Sequence, residues 1–199
     1  FSMEKAVACY NMFYGCSSLE SLDLSHFTSN LCQSMKNMFK GCNNLKSLEL
    51  SNFNTQKVTD MECMFQNCSS LTSLELSSFS TQNVGLMGHL FGWCSNIESI
   101  KFSENFKTNN VGYIDGIFEG CTKLTTLDLS SFSMEKVLKC DKMFHGCNSL
   151  ESLDLSHITS NLCPSTENMF NGCNKLTSLN ISNFDTSKTT NMNSMFKDC

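Results

Sequence analysis

Thirteen cysteines in 199 residues are the densest source of chemistry in this chain, and their spacing sorts them into two sets. Eight recur about every 26 residues: Cys16, Cys42, Cys68, Cys94, Cys121, Cys147, Cys173 and Cys199. One thiol per repeat at a core position reads as a small buried hydrophobe rather than a bridge. Zinc ligands must converge on a point, which a column of evenly spaced thiols does not do. The second set is more informative. Cys9 and Cys32 fall in neighbouring repeats and return together as Cys140 and Cys163. That joint recurrence suggests two disulfides between repeats, which persist in an oxidising compartment; the alternative is four more core thiols. Cys63 has no counterpart, the matching site being Ser194, and is expected to be a free thiol.

Carboxylates also form a column, at the outward position of a short leucine-alternating stretch: Asp23, Glu49, Glu75, Asp128 and Asp154, interrupted by Lys101 and ended by Asn180. Like charges on adjacent strands repel, so the stripe is either a solvated polar face or a surface that a partner covers. One carboxylate per strand does not supply the roughly 6–8 oxygens of a calcium site. Trp93, the only tryptophan, stands where most repeats carry glycine. It reads equally as a binding hot spot or as a packing variant. Asn67-Cys68-Ser69 and Asn180-Ile181-Ser182 match the N-glycosylation pattern. Of the histidines, His26 and His157 occupy matching turns while His89 and His145 stand alone, so no serine–histidine–acid grouping can be assembled.

The elements that position these residues are repeats. Coils open at Phe1, Phe27, Phe53, Phe79, Phe106, Phe132, Ile158 and Phe184, the eighth being incomplete. Only the fourth is longer, by one residue near Glu104 and Asn105, so the unit is 26–27 residues. In the third coil Val58, Met61, Met64, Phe65 and Cys68 are spaced 3, 3, 1 and 3 apart, which predicts one face of a short helix. Glycine or asparagine before the coil cysteine suits a left-handed turn ending that helix. Leu71 to Leu76 then alternates, with Leu74 and Leu76 inward and Glu75 outward, as in a strand. Stacked coils pair their strands in parallel, about 4.8 Å apart. All sixteen phenylalanines belong to this scheme. Eight form a column from Phe13 to Phe196, seven open coils, and Phe102 replaces a strand leucine.

The pattern MFxGCxxLxxLxLS, as in Met12 to Ser25, resembles the BspA-type leucine-rich repeats in their 26-residue MFxxCxxLxxLDLSxFxT variant, over the whole chain. The resemblance implies an α/β repeat fold: a right-handed solenoid with a parallel sheet on one face and short helices on the other. It also implies extracellular or cell-surface adhesion, and it carries no catalytic residues. A second period lies above the first. Residues 1–68 match 132–199 at about 44 of 68 positions, as where Phe1-Ser2-Met3-Glu4-Lys5 returns as Phe132-Ser133-Met134-Glu135-Lys136. The duplicated unit is five coils, and 1–199 reads as one solenoid within a longer array. Neither end carries a polar cap of the kind a terminal coil needs.

A net charge of -5 gives no basic excess for nucleic acid, and no apolar run reaches the roughly 18 residues of a membrane span. The expectation is therefore a surface or extracellular module that binds a protein or glycan partner. It has no cofactor and no enzymatic site, since no pocket-forming insertion or asymmetric polar set interrupts the ladders. The alternative is a structural subunit whose solenoid ends stack into a fibre. The first predicts separate particles in solution and the second fibres of regular repeat.

Overall fold

Left-handed backbone at two positions in every coil decides the path of this chain. The computed structural model describes residues 5–28, 30–159 and 162–199; Phe1 to Glu4, at the head of the first coil, lie outside them. One left-handed column runs Asn11, Asn37, Cys63, His89, Gly116, Lys142, Asn168 and Ser194; the other runs Gly15, Gly41, Asn67, Trp93, Gly120, Gly146, Gly172 and Asp198. The glycine or asparagine before the coil cysteine therefore has the backbone its residue type suits.

The first column overturns the expected helix. Among the described residues there is no helix, because a left-handed residue two places before each ladder phenylalanine cannot continue a right-handed helix. The hydrogen bonds show what replaces it. In coil two the N–H groups of Met35, Asn37, Phe39 and Gly41 donate outward to Asp60, Glu62, Met64 and Gln66 carbonyls of coil three at 2.8–2.9 Å. Those of Met38, Lys40 and Cys42 turn back onto Met35, Asn37 and Phe39 at 3.1 Å. The segment is thus a run of tight turns in which alternate donors face the neighbouring coil. The 3-3-1-3 spacing still puts its side chains inward: Val58, Met61, Met64, Phe65 and Cys68 are all fully buried.

Across the coil from these turns lie short strands: β1 (Ser21–Asp23), β2 (Ser47–Glu49), β3 (Ser73–Leu76), β4 (Ser99–Phe102), β5 (Ser152–Asp154) and β6 (Ser178–Asn180). They pair in parallel as β1–β2, β3–β4 and β5–β6, with Leu74 and Leu76 buried and Glu75 exposed in β3 as the alternation requires. Among the described residues the strand face is thus three two-stranded pieces rather than one sheet, and coil five contributes no strand. The turn face is the more evenly tied, with parallel bridges from Ala8 through Ser34, Asp60, Leu86 and Tyr113 to Lys139.

Between the faces the core is a set of ladders. Phe13, Phe39, Phe65, Phe91, Phe118, Phe144, Phe170 and Phe196 stack ring on ring, with centroids 5.4–5.8 Å apart. The coil-opening phenylalanines stack likewise from Phe27 through Phe53 to Phe79 and again from Phe106 to Phe132. At the inserted residue Phe102 bridges the columns, edge-on to Phe91 and tilted 4.6 Å from Phe106. The coil cysteines lie beside the ladder as buried thiols, except exposed Cys16 and Cys199 in the first and last coils. Each from Cys42 onward donates to the carbonyl of the ladder phenylalanine one coil back, as Cys68 does to Phe39 at 3.1 Å. Burial raises the Cys42 thiol to about 11 and Cys94 to about 12, so these thiols stay protonated and unreactive.

A ladder absent from the sequence reading completes the frame. Thr55, Thr81 and Thr108 are buried. Each hydroxyl both donates to a carbonyl and accepts from an N–H of the next coil: Thr55 with Ser80 at 2.8 Å, Thr81 with Lys107 at 2.6 Å, Thr108 with Ser133 at 2.7 Å. Met134 takes the threonine position in coil six, and the ladder stops there.

Candidate recognition surface

The two suspected cysteine pairs are joined in the structure, Cys9 to Cys32 and Cys140 to Cys163, each with Cα atoms 6.2 Å apart. Cys63 is free and buried. Each bridge ties one coil to the next, so the pairs act as clamps in coils one–two and six–seven and leave the middle of the array unclamped.

The acidic stripe is in register where strands pair: Asp23 opposite Glu49, Glu75 opposite Lys101, Asp154 opposite Asn180. Its carboxylates have local work. Asp23, Glu49, Asp128 and Asp154 each accept the N–H two residues on, at 2.8–2.9 Å, closing the turn after the strand. Glu75 does so at 3.2 Å and also meets Lys101 at 3.0 Å in an exposed ion pair. Side-chain bonding to Ser25 and Ser156 holds Asp23 and Asp154 below the usual carboxylate range, as backbone bonding to Ser130 does Asp128. The column is thus in large part a turn-forming device. Where coil five lacks a strand, a shallow depression of about 340 Å³ opens beside β4, with Lys101 and Asp128 in its lining. Asn67 and Asn180 are both exposed; Asn67 has left-handed backbone, and Asn180 accepts the Ser182 N–H at 3.3 Å.

The turn face of coils three to seven holds the arrangement that the sequence reading missed. Coil four carries glycine at Gly85, Gly88 and Gly92, where coil three has Thr59, Glu62 and Gln66. Two depressions lie on this face, the first of them bordered by Gly88. One, of about 230 Å³, is lined by Glu62, Leu86, Gly88, Tyr113, Asp115 and Lys139. The other, of about 310 Å³, is lined by His89, Asp115, Lys139, Asp141, Lys142 and Glu167. Asp115 and Lys139 belong to both and pair at 3.0 Å.

His89 and His145 do not stand alone. Glu119, whose side chain is only 8% exposed, lies between them, with Oε2 3.2 Å from His89 Nδ1 and Oε1 3.3 Å from His145 Nδ1. The His89 contact is an ion pair at an angle too poor for a hydrogen bond, which leaves Nδ1 without a proper acceptor. The other nitrogen, Nε2, is 3.5 Å from Asp115. Asp115 first and then Glu119 raise His89 to about 9, so it is a cation at neutral pH. The same contacts hold Glu119 low, and His89 and Lys139 hold Asp115 low against its burial. An asymmetric polar set therefore does interrupt the ladders.

Both large residues of coil four occupy left-handed positions and lie over glycines of coil five. A Cβ on Gly116 would come within 2.4 Å of the His89 ring, and one on Gly120 within 2.6 Å of the Trp93 ring. Trp93 is 46% exposed and rests on Gly120, not among the strand-face acids. The signal available in the sequence was the run Gly88-His89-Leu90-Phe91-Gly92-Trp93, with glycines at the equivalent places one coil later.

Ladders, parallel strands and one inward leucine face per coil define the class: a leucine-rich-repeat solenoid. Residues 7–104, 76–177 and 150–199 match the family described as "Mycoplasma protein of unknown function, DUF285", and the chain belongs to that family. Among solved structures it is similar to the leucine-rich repeat protein of T. pallidum, TpLRR, at 22% identity and TM-score 0.54, covering 84% of this chain and 69% of that one. A leucine-rich repeat protein from Bacteroides ovatus aligns at 16% identity and TM-score 0.29, over 86% of this chain and 63% of its own. No curated protein matches the chain. The first likeness concerns the fold alone, and with the family it bears out the resemblance to BspA-type repeats. No helix among the described residues is long and apolar enough to cross a membrane.

Proposed function

We propose that this chain is an extracellular or cell-surface recognition module that binds protein or glycan partners through the exposed faces of its coils, without catalysis or a cofactor. The observation that carries the reading is the concentration of departures in coils four and five. There glycines clear the surface at Gly85, Gly88 and Gly92, the charged groups gather around Asp115 and Glu119, and Trp93 and Tyr113 are exposed. Repeat arrays present ligands along such surfaces, and aromatic residues dominate hot spots. The paired cysteines suit an oxidising compartment, and exposed Asn67 and Asn180 suit glycan attachment there. The test is binding of the purified chain to panels of immobilised extracellular proteins and glycans, beside a Gly88→Lys variant that fills the depression Gly88 lines. Saturable binding lost in the variant supports the surface; unchanged binding removes it from this role.

A second reading, self-association into a fibre, is favoured by one feature. The ladder rings stack coil on coil at 5.4–5.8 Å through the array, a geometry that one copy could continue onto another. The five-coil period, with 1–68 matching 132–199, would give such a fibre a regular axial repeat. Electron microscopy decides between separate arcs and fibres, and fibres that vanish with Phe196→Asp would establish the second reading.

A further inference from the structure

We propose that the Trp93 indole is a stacking platform for a sugar ring, which makes a glycan the ligand of the coil four–five surface. This rests on the recognition reading and deepens it. Trp93 has φ 62, a conformation that is a true outlier for a bulky residue. Glycine holds the equivalent place as Gly15, Gly41, Gly120, Gly146 and Gly172, and asparagine or aspartate elsewhere. Stability alone would keep glycine here, since tryptophan adds backbone strain and leaves the ring 46% exposed. Strain of this kind that persists in a well-packed frame points to function.

The way the ring lies selects the ligand. Gly120 supports one side of the indole: Cε3, Cδ2 and Cζ3 are 2.6, 2.8 and 3.1 Å from where a Cβ would stand. Beyond that support the residue stays largely exposed. What remains is a supported aromatic plane rather than a knob for a protein pocket. A pyranose ring packs its axial C–H groups on such a negative π face, and its hydroxyls keep their hydrogen bonds at the rim. The large nearby charges are already paired, Glu119 with His89 and His145, which favours a hydroxyl-rich ligand over a highly charged one.

Because Trp93 is the only tryptophan, its fluorescence reads the site directly. The wild-type chain is titrated with chito-, cello- and manno-oligosaccharides and with sialyllactose, following emission and acrylamide quenching. One class is expected to shift the emission saturably and shield the ring. Affinity on a glycan array should fall about tenfold or more in Trp93→Gly and be partly kept in Trp93→Tyr, while the urea midpoint of Trp93→Gly stays equal or rises. No shielding by any sugar overturns the assignment. A collapse of the Trp93→Gly midpoint does so too, by making the residue a packing element. Glycans that bind with Trp93 unmoved, or surface proteins that shield it when no sugar does, would sink this inference and leave the recognition reading standing.

Discussion

Coils two and three and coils four and five are built on the same columns, yet they use the left-handed positions differently. In the first pair Asn37, Gly41, Cys63 and Asn67 are all small, with Cys63 buried and Asn67 exposed. In the second, His89 and Trp93 lie over Gly116 and Gly120, and buried Glu119 ties coil five to coils four and six. Beneath both, the phenylalanine ladder runs without a break. The frame therefore accommodates the two rings of coil four because each has a glycine under it one coil later; Lys142, with a flexible chain, takes the same backbone above Asn168.

The largest expected effect is common to both regions and sets the scale. Phe65→Ala and Phe118→Ala each remove a fully buried ring from the ladder, and both should cost about 3–5 kcal/mol in urea unfolding. A much smaller loss at Phe118 would mean that coils four and five do not share the common frame.

Glycine substitution separates the regions. Gly15→Ala meets nothing within 4 Å, so only its φ of 71 resists, at about 1–2 kcal/mol. Gly120→Ala has the same φ of 71 plus the Trp93 ring, and overpacking adds about 1–3 kcal/mol. In a Trp93→Gly background the second cost should shrink to the first. Equal costs in the wild-type background would refute the pairing of bulky residue with glycine.

pH sharpens the contrast further. His89 is raised to about 9, so its stabilising contribution is complete below the unfolded value of about 6.5 and is lost as pH rises toward 9. Glu119 and Asp115 are lowered, so theirs is present above the ordinary carboxylate range and is lost as pH falls through the folded values. The stripe acids Asp23, Asp128 and Asp154 are likewise lowered and weaken the fold on the acid side only. The stability advantage of wild type over His89→Asn should therefore shrink between about pH 6.5 and 9. A constant difference across that range would show that the ion cluster contributes nothing.

How much of this was legible follows from what a period can carry. Phenylalanine, cysteine and leucine columns announce themselves because one residue type recurs at one place. The Cys9–Cys32 and Cys140–Cys163 bridges were legible because the pair recurs. The expected helix is absent among the described residues because inward side chains at 3-3-1-3 spacing fit successive turns as well as a helix. The discriminating sign was Asn11, Asn37, Gly116 and Asn168 in a single column, the residue types that accept left-handed backbone. The Glu119 cluster was hidden because only Glu119 and His145 share a column, one coil apart, while His89 belongs to another and none of the three residue types recurs in its own column. They meet only once the turns are known to place alternate residues against the next coil.

The smallest expected effect lies in the stripe that first looked like the binding face. Glu75 and Lys101 pair at 3.0 Å, but both are well exposed, and water screens such contacts to a few tenths of a kcal/mol. Glu75→Gln keeps a side-chain oxygen for the Ser77 N–H, so the turn should close as before, and stability should move by less than about 0.5 kcal/mol. Asp128→Ala removes the acceptor for Ser130 beside the depression at β4 and should cost somewhat more, about 0.5–1.5 kcal/mol. Reversing that order would make charge, rather than turn closure, the reason for the column. The strand face would then regain its claim as the partner surface over coils four and five.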